Sequence, residues 1–225
     1  MERFTPLSEK IEWQLFQSNS AIVEYAVIEE ELKQLYNFCL IFQNAVFDKI
    51  KNLKRGKEYL EKNPFEVCCN YDGLEFQNID FLQGLEEFEI PNWLDTYKFI
   101  VPMNQVLLVS IFLEKSLKSL CSEYSVENKS KVYGGYKIKL KTEIGKSKIE
   151  TYINYLKENC ALKIDASTEV SFFNNKIRRV RNCFVHGDWD EIEEMFLDYN
   201  SNDLFIIVSK LLEEIEKAYI NKNVA

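Results

Sequence analysis

Apolar residues recur every three or four positions over most of the chain, which is the spacing of helices that bury one face. The spacing predicts one or two long helices from Ser20 to about Lys62, ending near Asn63-Pro64. A chain with this pattern is expected to fold as a helical bundle. The other predicted helices cover residues 101–124, 146–160, 168–186, 188–196 and 202–220.

Two segments interrupt the helical pattern. Residues 70–93 mix Asp, Gly, Gln, Asn and Pro with apolar residues, and we expect an irregular connection there. Within residues 125–145, Tyr133-Gly134-Gly135-Tyr136 is typical of a turn, and residues 137–141 alternate as a half-exposed strand would. The predicted fold is therefore an all-α bundle in a single domain, 1–225, with a small irregular or β-hairpin insertion at 125–145.

Composition narrows the class of protein. Of the 225 residues, 46% are hydrophobic, and only 7 are Gly and 4 are Pro, which favours long helices around a real core. The net charge of −8 excludes a protein that coats nucleic acid without specificity, although it leaves room for a local basic site. No apolar run is long enough to span a membrane, and the N-terminus lacks an apolar signal core. We therefore expect a cytoplasmic protein without a membrane partner.

The residues that bind metals are few and scattered. The chain has one histidine, and its cysteines show no C-x-x-C spacing, so we expect buried free thiols, no metal site and no cofactor. The acidic residues of 188–194 are expected to stabilise the start of a helix. The cysteines are Cys39, Cys68, Cys69, Cys121, Cys160 and Cys183.

The most informative segment surrounds the single histidine, His186. Three of the five arginines in the chain, Arg178, Arg179 and Arg181, lie within eight residues of it. The planar guanidinium group suits bidentate binding of a phosphate, and histidine titrates near neutral pH. This clustering indicates a site for phosphate chemistry.

The helical positions of this segment separate an apolar stripe from a polar face. At about 100° per residue, the stripe consists of Phe173, Ile177, Val180 and Phe184. The polar groups are expected to face away from it, toward solvent or a second chain. They are Arg178, Arg179, Asn182 and His186, with Arg181 flanking the stripe.

The motif Arg181-Asn182, three residues and then His186-Gly187 resembles the signature of the HEPN superfamily. The apolar stretch Ile111–Leu117, which contains Glu114, resembles a segment that an earlier helix carries in that superfamily. The resemblance implies a helical bundle and a metal-independent endoribonuclease with a composite site at a dimer interface. It also implies a toxin or an abortive-infection or other defence effector.

Each residue type has a role in RNA cleavage by the 2′-hydroxyl group. His186 is predicted to act as base or acid, Arg181 to hold the scissile phosphate and stabilise its developing charge, and Asn182 to orient either group. Glu114 is a candidate for orienting Arg181 or His186. Three further cations are predicted to contact RNA phosphates, namely Lys176, Arg178 and Arg179.

One histidine per chain is fewer than acid–base cleavage uses, so we expect a homodimer that brings two copies of the motif together. The expected partners are RNA, a second copy of the chain and an antitoxin or other defence-system protein. The products would carry a 2′,3′-cyclic phosphate and a 5′-hydroxyl.

Plainer interpretations stay open beside these predictions. His186 would then only interact with the C-terminal dipole of its helix, and Arg178 and Arg179 would form a solvated or acid-paired face. Glu114 would be a salt-bridge partner within the bundle. The chain as a whole would be a non-catalytic helical module that binds a protein or a nucleotide, or a partner subunit of a nucleotidyltransferase.

Overall fold

The structure, a computed structural model, describes residues 5–127, 140, 146–195 and 200–224. The chain divides into two compact units. One unit comprises Met1–Phe38 together with Met103–Ala225, and the other comprises Cys39–Pro102. The prediction of one domain over 1–225 stays a prediction.

The periodicity predicted one or two long helices at the start of the chain, and the structure has one. After a 3₁₀ turn at Glu9–Gln14, helix α1 runs over Val23–Lys62. It ends where the sequence predicted, beside Asn63-Pro64, because proline disfavours the helical conformation in the residue before it. Tyr36 anchors the first half of α1: its hydroxyl donates a hydrogen bond of 2.7 Å to the carbonyl oxygen of Ser8.

The segment 70–93 is not an irregular connection, so that prediction was wrong. Strands β1 (Val67–Tyr71) and β2 (Leu74–Gln77) form an antiparallel hairpin, and helices α2 (Asn78–Gly84) and α3 (Ile90–Asp95) follow. Turns of π-helix continue each of these two helices. The polar residues that suggested irregularity lie mostly on exposed faces, where a helix tolerates them.

The hairpin also corrects the prediction for two cysteines. Cys68 and Cys69 lie on β1 and are exposed, whereas the other four cysteines are buried, and none of the six is in a disulfide. Both faces of β1 are exposed, so alternation along the strand buries neither thiol. The hairpin described here lies outside the predicted insertion 125–145, and the turn predicted at Tyr133–Tyr136 lies outside the described residues.

The remaining helices confirm the all-α fold class. They are α4 (Val101–Glu127), α5 (Lys148–Glu158), α6 (Ser167–Phe172), α7 (Arg178–His186), α8 (Trp189–Met195) and α9 (Ser201–Val224). The helical run Asn78–Glu123 contains a window with a mean hydropathy of 1.4, half of it buried. By length and composition this run could cross a membrane, a property that core helices of soluble proteins share.

Apolar residues of α4 and α9 dominate the core of the larger unit. Burying these side chains removes apolar area from water, which is the main favourable contribution to folding. A buried carboxylate, Glu216 of α9, accepts hydrogen bonds from the backbone of Asn19 and Ser20 just before α1. The fully buried core residues include Leu113, Leu117, Leu120, Leu204, Val208, Leu211 and Ile215.

Candidate functional site

The helix that carries the motif ends at His186, the position that the following Gly187 predicts. Helix α6, one π turn at Phe173–Ile177 and α7 form one helical run, and His186 is its last residue. Gly187 takes the left-handed conformation with φ of 82°, and the Asp188 N–H donates to the carbonyl oxygen of Cys183 at 2.9 Å. This cap fixes the direction in which the chain leaves α7.

The apolar stripe predicted for this run is confirmed. Phe173, Ile177 and Val180 are buried, and Phe184 is half-buried with its ring stacked on that of Trp189, 5.9 Å between centroids. The opposite face is polar. Arg179, Asn182 and His186 are exposed, while Arg178 and Arg181 are half-buried.

Arg181 is held by a carboxylate from α4. Its guanidinium donates to Oε1 of Glu114 at 2.6 Å, and the side chains expose only 27% and 19% of their area. Lys148, at the start of α5, donates to Oε2 of the same carboxylate at 3.2 Å. A second guanidinium nitrogen lies 3.4 Å from Oδ1 of Asn182. Guanidinium has five N–H donors, so this arrangement orients Arg181 and leaves donors for a ligand.

Arg181 borders a cavity of about 290 Å³ in the larger unit. Residues of α4, α5 and the π turn line it together with the first turns of α7. The lining residues are Ser110, Glu114, Lys146, Ser147, Lys148, Ile149, Phe173, Asn174, Ile177, Arg178, Arg181 and Asn182.

His186 lies apart from this cavity. It is not among the lining residues, and no hydrogen bond or ion pair joins its imidazole to another residue that the structure describes. The structure therefore brings Arg178, Arg181 and Asn182 together with Glu114, and leaves the imidazole exposed at the end of the helix.

The other predicted cations differ in their surroundings. Arg179 forms an exposed ion pair with Glu191 of α8 at 3.6 Å. This contact agrees with the plainer interpretation of Arg179, in which it pairs with an acidic residue. Lys176 is exposed, with its ammonium 5.9 Å from the centroid of the Phe172 ring. Arg178 reaches the cavity, and its guanidinium has no charged or hydrogen-bonded partner among the described residues.

Two groups close to the site have raised pKa values. Burial raises the pKa of the Cys183 thiol, and the neighbouring Glu191 carboxylate raises it further. Burial also raises the pKa of the Tyr152 hydroxyl, with smaller contributions from Cys121 and Glu114. Both groups are therefore held in the neutral form at neutral pH, and neither is suited to act as a nucleophile there.

No set of three His, Cys, Asp or Glu side chains within the described ranges is placed to hold a metal ion. The acidic residue Glu191 is instead engaged by Arg179 and by the thiol of Cys183 at 3.7 Å.

Sequence reasoning missed Lys148 and Asn174. Lys148 had no signal of its own, because only the packing of α5 beside α4 brings its ammonium to Glu114. Ser147, which precedes it, did carry a signal: a serine three residues before Glu150 is typical of a helix N-cap, and its Oγ accepts from the Glu150 N–H at 3.0 Å.

No family model, curated protein or solved structure matches the chain.

Proposed function

We propose that the chain is a metal-independent endoribonuclease of the HEPN type, with its site at the end of α7. The observation that carries the proposal is the arrangement of Arg181. Its guanidinium is oriented by the Glu114 carboxylate at the edge of a cationic cavity, one to two turns before the exposed His186 on the same short helix. Phosphodiester cleavage requires a preorganised cation and titratable groups at the same phosphate.

In the proposed reaction the 2′-oxygen of one nucleotide attacks the adjacent phosphorus, and the bond from phosphorus to the 5′-oxygen breaks. His186 takes the proton from the 2′-hydroxyl, and a second imidazolium gives a proton to the leaving 5′-oxygen. Arg181 binds the non-bridging oxygens, where negative charge accumulates. The products carry a 2′,3′-cyclic phosphate and a 5′-hydroxyl.

The second imidazole belongs to another copy of the chain in this proposal. Residues 181 and 186 are about 140° apart around one helix, which separates their side chains within a single chain. A two-fold dimer that joins the ends of two α7 helices supplies both histidines to one phosphate. We further propose that the dimer works in the cytoplasm as a toxin or defence effector, restrained by an antitoxin or similar protein.

The test is cleavage of RNA in the presence of EDTA by the wild type and by His186→Ala and Arg181→Ala. We expect the wild type to cleave, and each variant to lose a factor of about 100 or more. Arg55→Ala, which removes an exposed arginine of the smaller unit, is the matched control and should cleave normally. Cleavage that is unchanged in His186→Ala, or that EDTA abolishes, would refute the mechanism.

One observation favours a second candidate, a non-catalytic module that binds a protein or a nucleotide. The cavity contains Arg181 and Asn182 but not His186, so a ligand could occupy it without meeting the imidazole. This candidate predicts no cleavage of RNA by the purified chain, and no growth arrest when the wild type is expressed in bacteria.

A further inference from the structure

The β-hairpin of the smaller unit exposes apolar side chains within an acidic segment. Residues 63–97 contain eight Asp and Glu residues and no Lys, Arg or His, although the whole chain has 28 Lys and Arg residues. Within this segment Tyr71 and Leu74 expose 74% and 65% of their surface. Exposed apolar groups in a segment of one charge sign are typical of a surface that binds a partner of the opposite charge.

The register of the hairpin separates its side chains onto two faces. Tyr71 pairs with Leu74, and Phe76 lies two residues further along β2, so these three side chains share one face, which we call the apolar face. The ring centroids of Phe76 and Phe81 are 6.1 Å apart, which extends this face to α2. Glu75 lies on the opposite face and is exposed, and its carboxylate has no partner among the described residues. Strand β2 therefore alternates apolar and acidic side chains.

Both strands of the hairpin have one edge without a neighbouring strand. In the part of the chain that the structure describes, each strand pairs only with the other. Two strands alone are marginally stable in water, and a third strand adds main-chain hydrogen bonds at such an edge. The connection between the strands is already tight, because Asp72 and Gly73 take φ of 53° and 80°, as a two-residue hairpin turn requires. The hairpin is therefore a preformed template for an extended segment.

We propose that β2 binds an extended segment of a partner protein as a third strand, and that this segment alternates cationic and apolar residues. Its apolar side chains lie beside Leu74 and Phe76, and its cations lie beside Glu75, because neighbouring strands place alternate residues on the same two faces. The surface lies within the smaller unit and binds its partner whether or not the chain cleaves RNA.

The charge of the segment distinguishes this partner from other occupants. The same hairpin of a second copy has the same carboxylates, so two such surfaces repel each other. RNA and anionic lipid surfaces are repelled for the same reason. A segment of another protein that alternates lysine or arginine with apolar residues matches both the acidic charge and the apolar face.

Titration calorimetry of the full chain with synthetic peptides tests the proposal. The probe is a short peptide in which lysine and valine alternate. One control peptide has the same residues in two separate blocks, and another has an N-methyl group on every residue and so cannot donate main-chain hydrogen bonds. We expect the probe to bind about tenfold more tightly than either control peptide. Equal binding of the block peptide or of the N-methylated peptide would overturn the proposal.

Two variants with matched controls locate the binding surface. Leu74→Ser and Glu75→Lys should each weaken binding of the probe by about tenfold. Ile41→Ser and Glu58→Lys are the controls on α1, where Ile41 exposes 69% of its surface and Glu58 is exposed, and each should bind the probe as the wild type does. An equal loss in a variant and in its control would contradict binding at β2. Far-UV circular dichroism shows whether each variant is folded, and the comparison of peptides on the wild type depends on no variant.

Sedimentation and RNA binding test the other occupants. We expect Leu74→Ser to keep the oligomeric state and the RNA affinity of the wild type. A wild-type dimer that Leu74→Ser separates would show that a second copy covers the hairpin. RNA binding that Leu74→Ser weakens would assign the surface to RNA, and either result would overturn the proposal.

Discussion

Glu114 is the residue on which the arrangement around Arg181 depends. Its carboxylate is mostly buried and accepts hydrogen bonds from two cations that come from different helices. Hydrogen bonds to charged groups at partly buried positions contribute more than exposed ion pairs do, and removing one partner leaves the other poorly solvated. In the proposed reaction Glu114 is therefore a positioning residue, which would act through the guanidinium of Arg181.

Glu114→Gln is expected to lower the rate of RNA cleavage by about tenfold, since a neutral amide holds the guanidinium less firmly. The loss should appear in kcat more than in KM, and Glu114→Asp should restore part of it. Steady-state kinetics on a short RNA measure both constants. Glu31→Gln, which removes a carboxylate bonded to the exposed Lys115, is the control and should keep the wild-type rate. An equal loss in both Gln variants would contradict the role given to Glu114.

Helix α7 is short, and its C-terminal cap determines where His186 lies. Gly187 adopts φ of 82°, a conformation that costs a residue with a Cβ atom about 1–2 kcal/mol. A Cβ placed there meets no atom within 4 Å, so the cost of a larger residue is conformational and not steric.

Gly187→Ala is therefore expected to lower the free energy of unfolding by about 1 kcal/mol and to reduce RNA cleavage by displacing His186. Gly56→Ala is a control of opposite sign. Gly56 lies inside α1, and a Cβ added to it would have no atom within 4 Å, so alanine should raise the free energy of unfolding by about 0.5–1 kcal/mol. Urea unfolding followed by circular dichroism measures both changes. A shift of the same sign in the two variants would contradict the conformational argument.

At the scale of the whole molecule, the single histidine makes a second chain necessary for the proposed reaction. Val185, just before His186, and Trp189, three residues after it, expose 62% and 47% of their surface. Apolar area of this kind at a polar motif suits contact between two copies of α7.

Val185→Asp is expected to separate the dimer and abolish RNA cleavage, because it places a charge in the proposed interface. Sedimentation should give twice the chain mass of 26.6 kDa for the wild type and the chain mass for the variant. Val27→Asp, which changes an exposed valine of α1, is the matched control and should stay dimeric and active. A monomeric Val185→Asp that still cleaves RNA would show that one chain contains the whole site.

The sequence by itself determined the helices that depend only on residues close to each other in the chain. Helical periodicity predicted α1, α4, α5 and α9, and the same spacing separated the buried stripe of α7 from its polar face. The glycine after His186 predicted the end of that helix. Periodicity and capping act over a few residues, so they can be read without knowledge of the rest of the chain.

Only the tertiary structure decided how the charged groups meet. The bond between Arg181 and Glu114 joins residues 67 positions apart, and Lys148 reaches the same carboxylate from a third helix. The separation of His186 from the cavity, and the exposure of Cys68 and Cys69, likewise follow from packing. Contacts of this kind depend on how helices pack side by side, which the local pattern of apolar residues does not specify.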